Sequence, residues 1–349
     1  MDKRLTIALD AMGGDRAPEV VIKGANIARD RHPEVDFLLF GEEGRIQPLL
    51  REMAKLRRVC TVCHTEVAVS GEDKPSAALR NGRRSSMRLA IDAVHDGDAS
   101  GVVSAGNTGA FMAMAKWVLK TLPGIDRPAI ASLVPTRRGE SVMLDLGANI
   151  QCDAENLVQF AIMGEVYART VLGLKQPTIG LLNVGEEVFK GHEAVQTASA
   201  ILRTTSLPIK FHGFVEGDDP WSGTVDVVVT DGFTGNVAIK TAEGMVRLYS
   251  GLLRSAFRRS PLTRLGYLLV RSSLSELRNH LDARRYNGAM LLGLNGIAVK
   301  SHGSTDAVGF ANAIGVAVEL AVRGFNDQII EELRRVSEDQ RSPQHVVAS

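Results

Sequence analysis

At 349 residues, 44% hydrophobic and 23% charged, the chain has the composition of an ordinary globular protein, with room for one large α/β domain or two lobes. A formal charge of +1 argues against a dedicated nucleic-acid binder, which would carry an overall basic excess. No window reaches about 18 uninterrupted apolar residues, the apolar start broken by Asp10 is too short for a signal peptide, and three cysteines make no disulfide framework, so a cytoplasmic setting is expected.

In chain order, strand-like runs fall at residues 4–10, 35–40, 58–63, 101–104, 129–134, 141–146, 178–184, 208–214 and 225–230. Segments of helical spacing separate them, notably 18–30, 154–172 after the cap Asp153, and 305–323. This alternation predicts an α/β fold with a mainly parallel, doubly wound sheet. Cys60-Thr61-Val62-Cys63-His64 matches the c-type haem attachment pattern, but its Val- and Thr-rich setting reads as a strand, and Cys152 alone does not complete a zinc site. No metal and no organic cofactor is expected. Arg80, Arg84 and Arg88, with Arg83 beside them, lie at i, i+4, i+8 of a segment read as one helix, on one face suited to an acidic partner or a phosphate, or else simply solvated.

Three glycine-punctuated segments follow strands: Val102-Val103-Ser104-Ala105-Gly106-Asn107-Thr108-Gly109, Leu144-Asp145-Leu146-Gly147-Ala148-Asn149 and Val228-Val229-Thr230-Asp231-Gly232-Phe233-Thr234-Gly235-Asn236. In an α/β sheet the loop after a strand opens a helix, whose free N–H groups and positive dipole end favour an anion. Glycine lets backbone approach the ligand, while Asn, Ser and Thr add neutral hydrogen-bonding groups. The three loops are expected to line one crevice. From 245 to 285 the strand signal vanishes and leucines recur at near-helical spacing, interrupted at Ser260-Pro261. That pattern predicts two helices in an αα-hairpin. Nine arginines there face only Glu276 and Asp282, which suits an anionic membrane surface, an acidic protein partner, or a dimer interface with arginines at its rim. Residues 1–336 are expected to form one α/β catalytic domain carrying this insertion, and 337–349 a disordered tail.

The segment Ile7-Ala8-Leu9-Asp10-Ala11-Met12-Gly13-Gly14-Asp15-Arg16-Ala17-Pro18, the first two glycine loops, Gly180-Leu181-Leu182-Asn183-Val184-Gly185-Glu186-Glu187 with Lys190-Gly191-His192-Glu193, the third glycine loop, and His302-Gly303-Ser304 together resemble the bacterial phosphate acyltransferases, the PlsX family, in order over roughly residues 4 to 325. The resemblance implies an α/β/α fold akin to phosphate acetyltransferases and isocitrate dehydrogenases, with a protruding helical hairpin. It also implies a homodimer that moves a long-chain acyl group from acyl carrier protein to inorganic phosphate. The acyl phosphate would feed a membrane-bound glycerol-3-phosphate acyltransferase, with the protein held peripherally at the inner face of the cell membrane. Where the family reads Gly-Asn-x-Glu-Gly-Arg-Asp, this chain has Phe214 and Asp218 in place of Asn and Arg, so no binding role is carried onto them.

Phosphate is already an anionic nucleophile, so attack on a thioester needs positioning and charge stabilisation rather than a Ser-His-Asp triad. Lys190 is expected to pair with phosphate or the oxyanion, and Asn236 to donate through its amide, a helix cap being its alternative. His302 is expected to donate to the oxyanion or relay a proton, with a structural role as its alternative. Asp10, Gly13, Gly14, Asp15, Ser104, Asn107, Thr108, Gly109, Gly147, Asn149, Asn183, Asp231, Gly232, Thr234 and Gly235 make the expected substrate-binding set, with Arg80, Arg84 and Arg88 docking the carrier protein. The rival readings are a coenzyme A-dependent phosphate acetyl- or butyryltransferase and a non-catalytic membrane scaffold.

Overall fold

The computed structural model describes residues 4–205, 209–282 and 284–339, the side chains only as far as 334. Its strands, in chain order, are β1 (Thr6–Asp10), β2 (Asp36–Gly41), β3 (Cys60–His64), β4 (Gly101–Ser104), β5 (Ala129–Thr136), β6 (Gly139–Leu144), β7 (Thr178–Leu182), β8 (Lys210–Val215), β9 (Val227–Val229), β10 (Ala289–Leu292) and β11 (Ile297–Lys300). They form one 11-stranded sheet ordered β3-β2-β1-β4-β11-β10-β5-β6-β9-β7-β8. The antiparallel pairings are β11 with β10, β10 with β5 and β5 with β6; every other neighbouring pair is parallel. Two parallel blocks result, β3-β2-β1-β4-β11 and β6-β9-β7-β8, and they run in opposite directions.

The nine expected strands all appear, the motif Cys60-Thr61-Val62-Cys63-His64 among them as β3. β10 and β11 were not foreseen. Each has four residues and is almost wholly buried, so neither shows the polar–apolar alternation that marks a half-exposed strand. Helices cover both faces. On one, Ile7, Leu9, Val103, Leu144, Val229 and Val299 pack with residues of helices Glu19–Arg31, Ala154–Leu172 and Ala307–Val322. On the other, Ala8, Val102 and Ala298 meet helices Ser86–His95 and Thr108–Leu119. Ile130 and Val134 stand on the same side of β5, so a third apolar group, in which Val134, Met143 and Val228 meet Ala238 and Ile239, belongs to this second face. Leu146 packs into both groups of that face and joins the two blocks.

The hairpin consists of helices Gly232–Arg258 and Pro261–His280. Ser260 breaks it as expected, accepting the Thr263 N–H at 3.2 Å while Thr263 Oγ1 accepts the Ser260 N–H at 3.0 Å. Its first arm, however, starts at Gly232, not near 245, so the third glycine loop is the root of the hairpin. The second arm buries no residue, and Leu252, Leu262, Leu268 and Leu269 are each more than half exposed.

Two further expectations change. Residues 80–88 are not one helix: helix Pro75–Asn81 ends at Gly82, and Ser85 caps the next, accepting the Arg88 N–H at 3.2 Å and donating to Gly82 O at 2.6 Å. A serine whose hydroxyl satisfies backbone at a break competes with a continuous helix. Arg80, Arg84 and Arg88 therefore share no helix face. Helix Phe325–Asp339 overlaps the start of the expected tail, and the remaining part of that tail, 340–349, lies outside the described residues.

Candidate active site

Two of the glycine loops close around one buried carboxylate. Asp145, directly after β6, accepts the N–H groups of Ile130 (2.9 Å), Gly147 (3.2 Å), Ala148 (3.0 Å) and Asn149 (2.7 Å), and the Asn149 side-chain amide (2.9 Å). Burial raises its pKa, and these bonds oppose the rise. The loop after β9 docks on this turn, with Gly232 N donating to Asn149 O at 2.7 Å. Gly235 has to be glycine, because a Cβ there would fall 1.9 Å from Asp145 O. Asp231 caps the helix, accepting from Thr234 N at 2.9 Å and Thr234 Oγ1 at 2.7 Å. Asn236 is thus not the cap; it stands exposed on the second turn, and a Cβ built on Gly147 would lie 3.7 Å from its Cβ and Cγ. Asn149 donates its amide to Pro128 O and Asp145, so it shapes the loop rather than facing outward.

Lys190 lies in the loop after β7, the strand paired with β9, at the same end of the sheet. Asn183 folds this loop, donating to Gly185 O at 3.2 Å and Lys190 O at 3.1 Å. The Lys190 ammonium sits 5.8 Å from the Phe189 ring centroid and makes no ion pair among the described residues. Around it Val184, Val188 and Phe189 are strongly exposed.

The other block contributes the loops after β1, β4 and β11. Asp10 is buried and accepts Ser86 Oγ at 2.6 Å, Ser104 Oγ at 2.7 Å and Met12 N at 3.3 Å. Gly13 packs where a Cβ would meet Asp10 Oδ2 at 2.5 Å and Gly106 N at 2.7 Å, and Gly14 lies against Ala105 and Gly303. Asp15 N donates to Gly303 O at 3.0 Å, which ties the first loop to the last. Asn107 caps helix Thr108–Leu119, accepting from Ala110 N at 3.0 Å, and gives its amide to the carbonyls of Ser70, Gly71 and Asp73. Its side chain is therefore structural, and Thr108 and Gly109 form the first helical turn beside it. His302 Nδ1 accepts the Ser304 N–H at 3.2 Å, so the neutral ring carries its proton on Nε2. Burial, together with Lys240 and Lys300, lowers the His302 pKa.

The three glycine loops do not leave the sheet side by side, as a doubly wound sheet would have them, because β10 and β5 reverse the strand direction between the blocks. Helix Gly232–Arg258 spans the difference. It starts at the Asp145 turn and crosses the sheet through Ala238 and Ile239, bringing Lys240 and Glu243 into the field at His302.

Sequence reasoning missed Asp145, Lys300, Ser86 and Asn287. Two of them had a faint signal: Asp145 ends an apolar run, and Lys300 ends another just before Ser301-His302-Gly303-Ser304. Asn287 donates to Ser301 Oγ at 2.8 Å and accepts the His302 N–H at 2.8 Å. Phe214 is a core residue of β8 and Asp218 is exposed, so neither departure from the family pattern reaches these loops. Arg88 pairs with Asp92 at 2.8 Å, whereas Arg80 and Arg84 are exposed. Among the described residues no cluster of His, Cys, Asp and Glu is arranged to hold a metal ion, and no single helix is long and apolar enough to cross a membrane.

The sheet and its covering helices have the fold of phosphotransacetylases. The chain resembles a phosphotransacetylase from Streptococcus pyogenes (TM-score 0.64, 18% identity, 93% of this chain and 95% of that one) and the EutD phosphotransacetylase from Staphylococcus aureus (TM-score 0.60, 16% identity, 92% and 94%), a likeness of fold. The model of the family described as "Fatty acid synthesis protein" matches residues 5–328. Phosphate acyltransferases from Rhodospirillum centenum and Paramagnetospirillum magneticum are 64% identical over 336 residues (96% of this chain, 95% of the relative) and 59% identical over 348 residues (100% and 99%). The chain belongs to the phosphate acyltransferase (PlsX) family, enzymes of the acyltransferase class that transfer an acyl group to phosphate.

Proposed function

We propose that the acyl donor is a long-chain acyl group held as a thioester on acyl carrier protein, and that the product is an acyl phosphate passed to a membrane-bound glycerol-3-phosphate acyltransferase for phosphatidic acid synthesis. The observation that carries this reading is the root of helix Gly232–Arg258: a helix N-terminus with buried glycines, the exposed amide of Asn236 and the neighbouring Lys190, in a chain of this family. A phosphate oxygen attacks the thioester carbonyl; the C–O bond forms, the C–S bond breaks, and the carrier leaves as its thiolate. Lys190 pairs with the phosphate or the oxyanion, and Asn236 donates to the oxyanion as it forms. His302, a donor through Nε2 in the loop after β11, serves the oxyanion or a proton transfer. The glycines and the hydroxyls of Ser104, Thr108 and Thr234 frame the phosphate. Asp10, Asp15, Asp231, Asn107, Asn149 and Asn183 hold those loops in shape.

Arg80 and Arg84 dock the acidic carrier around the Gly82 turn, without the shared helix face first expected. The chain acts as one catalytic domain whose hairpin, with exposed leucines and an excess of arginine, rests on the inner face of the membrane and in a homodimer.

The test mixes pure protein with long-chain acyl carrier protein and phosphate, follows the free carrier thiol, and traps acyl phosphate with hydroxylamine. Phosphate-dependent appearance of both supports the reading. Turnover with acyl-coenzyme A alone overturns it in favour of the coenzyme A enzyme, and vesicle binding with no turnover favours the scaffold.

A further inference from the structure

Where β1, β4 and β11 end together, a lysine occupies a place that neither the resemblance nor the reading above assigns. Lys300 closes β11 in register with Ser104 of β4, and Ser301 N donates to Ser104 O at 2.9 Å. Its residue is only 9% exposed. The ammonium donates to the carbonyl of Ser301 and lies in the field of Asp10 and Asp15. Burying a cation is unfavourable unless opposite charge compensates it, and Asp10 and Asp15 do so through space, without a direct ion pair among the described residues.

Asp10 is the hub of that corner. It takes the Ser86 and Ser104 hydroxyls and the Met12 N–H, and Ser104 Oγ in turn accepts the Gly106 N–H at 3.1 Å. This line of bonds runs from Asp10 to the residue before the cap Asn107, and Gly13 packs against it with no room for a side chain. When Asp10 is ionised both of its oxygens accept, which matches the two hydroxyls and the N–H that converge on it. Burial pushes Asp10 towards its protonated form; the bonds from Ser86, Ser104 and Met12 oppose that most, and the charge of Lys300 adds to them. Without Lys300, Asp10 and Asp15 would also present uncompensated negative charge to an incoming phosphate.

Resting on the acyl-transfer reading, we propose that Lys300 is a positioning residue for the phosphate substrate: it holds Asp10 ionised as the anchor of the loops after β1 and β4, and cancels the charge that would repel the anion. The charged and titratable groups facing this corner are Asp10 and Asp15 from the first loop, His302 from the last, and Lys240 with Glu243 from helix Gly232–Arg258. Burial pulls the Lys300 pKa down to about 8, so its charge is present below that pH and lost above it.

The experiment compares the full-length protein with Lys300→Met and with Lys300→Met/Asp10→Asn. Lys300→Met is expected to raise the KM for phosphate about tenfold, because the charge of Asp10 and Asp15 is then no longer offset by the buried cation, while leaving the KM for the acyl donor near its original value. The double variant, which removes both charges, recovers part of the loss. In the unmodified protein the alkaline fall in kcat/KM for phosphate, with a midpoint near pH 8, carries the large ionisation heat of an ammonium group. Titration calorimetry with inorganic phosphate repeats the comparison without turnover, so it still decides if the acyl-transfer reading fails. A phosphate KM and alkaline limb unchanged by Lys300→Met, a double variant no better than the single one, or a limb with the small ionisation heat of phosphate or a carboxylate overturns the proposal. If Lys300→Met does not fold, the unmodified enzyme and the double variant carry the test.

Discussion

Asp145 and Asp10 each stand, buried, at the carboxyl end of a central strand, one in each half of the sheet, yet the molecule satisfies them by different means. Asp145 is wrapped by four backbone N–H groups and one side-chain amide, most of them from the turn it begins. Asp10 relies on two serine hydroxyls from elsewhere in the chain, one N–H, and the charge of Lys300. The first solution is local and made almost wholly of backbone N–H groups, so its charge is met without a cation. The second assembles three chain segments beside a buried cation whose pKa burial pulls down to about 8. Rigid donors suit charge that develops in the transition state, and a buried cation near carboxylates offsets charge that would repel an anion.

The largest effects are expected at the rigid half. Asn236→Ala and Lys190→Ala should each lower kcat by about 10²–10³-fold, the effect of removing one preorganised oxyanion donor, with circular dichroism and melting temperature unchanged because both groups are at least partly exposed and neither supports the core. Near-normal turnover in either variant would remove that residue from the chemistry. Asp145→Asn should act on stability as well: an amide in that nest turns a donor towards backbone N–H groups, and each donor left stranded costs about 1–3 kcal/mol. A clear drop in thermal midpoint is expected, and an unchanged midpoint would show that the turn holds without the carboxylate.

Much of this arrangement was legible in the chain. Nine strands and the break at Ser260-Pro261 followed from alternation and from a proline at a helix start, signals that are local. What was not legible depends on distant partners. β10 and β11 are too short and too buried to alternate, so the reversal of strand direction they introduce, and with it the separation of the glycine loops, was hidden. Asp231 and Asn107 read as ligand groups, and the structure uses both as helix caps, since the same side-chain oxygens serve either purpose. The burial of Lys300 comes from the register of β11 with β4, which the sequence does not show.

His302 sharpens the comparison at the titratable half. Its pKa is lowered, so the ring stays neutral, with its proton on Nε2, further into the acid range than an ordinary histidine. Protonation would add charge beside Lys240 and Lys300 and lose the Ser304 N–H bond. Activity should therefore persist as pH falls through the usual histidine range and drop only below it. His302→Gln, which keeps a donor but cannot take a proton, should abolish that acid limb while retaining measurable turnover. A limb that survives the substitution would assign it to another group.

The smallest effect belongs to the outer surface, where charge acts through screening water. Arg80 and Arg84 are exposed on either side of the Gly82 turn, whereas Arg88 is paired with Asp92 in a part-buried setting. Arg80→Glu/Arg84→Glu should raise the KM for acyl carrier protein about threefold to tenfold at low salt, with the gap to the unmodified protein narrowing as ionic strength rises, and should spare a small thioester donor. Arg88→Glu sets two carboxylates against each other on one helix, so it should cost stability more than carrier affinity. If Arg88→Glu instead weakens the carrier while the exposed pair does not, docking runs along helix Ser86–His95 rather than across the turn, and the break between the two helices has no part in partner choice.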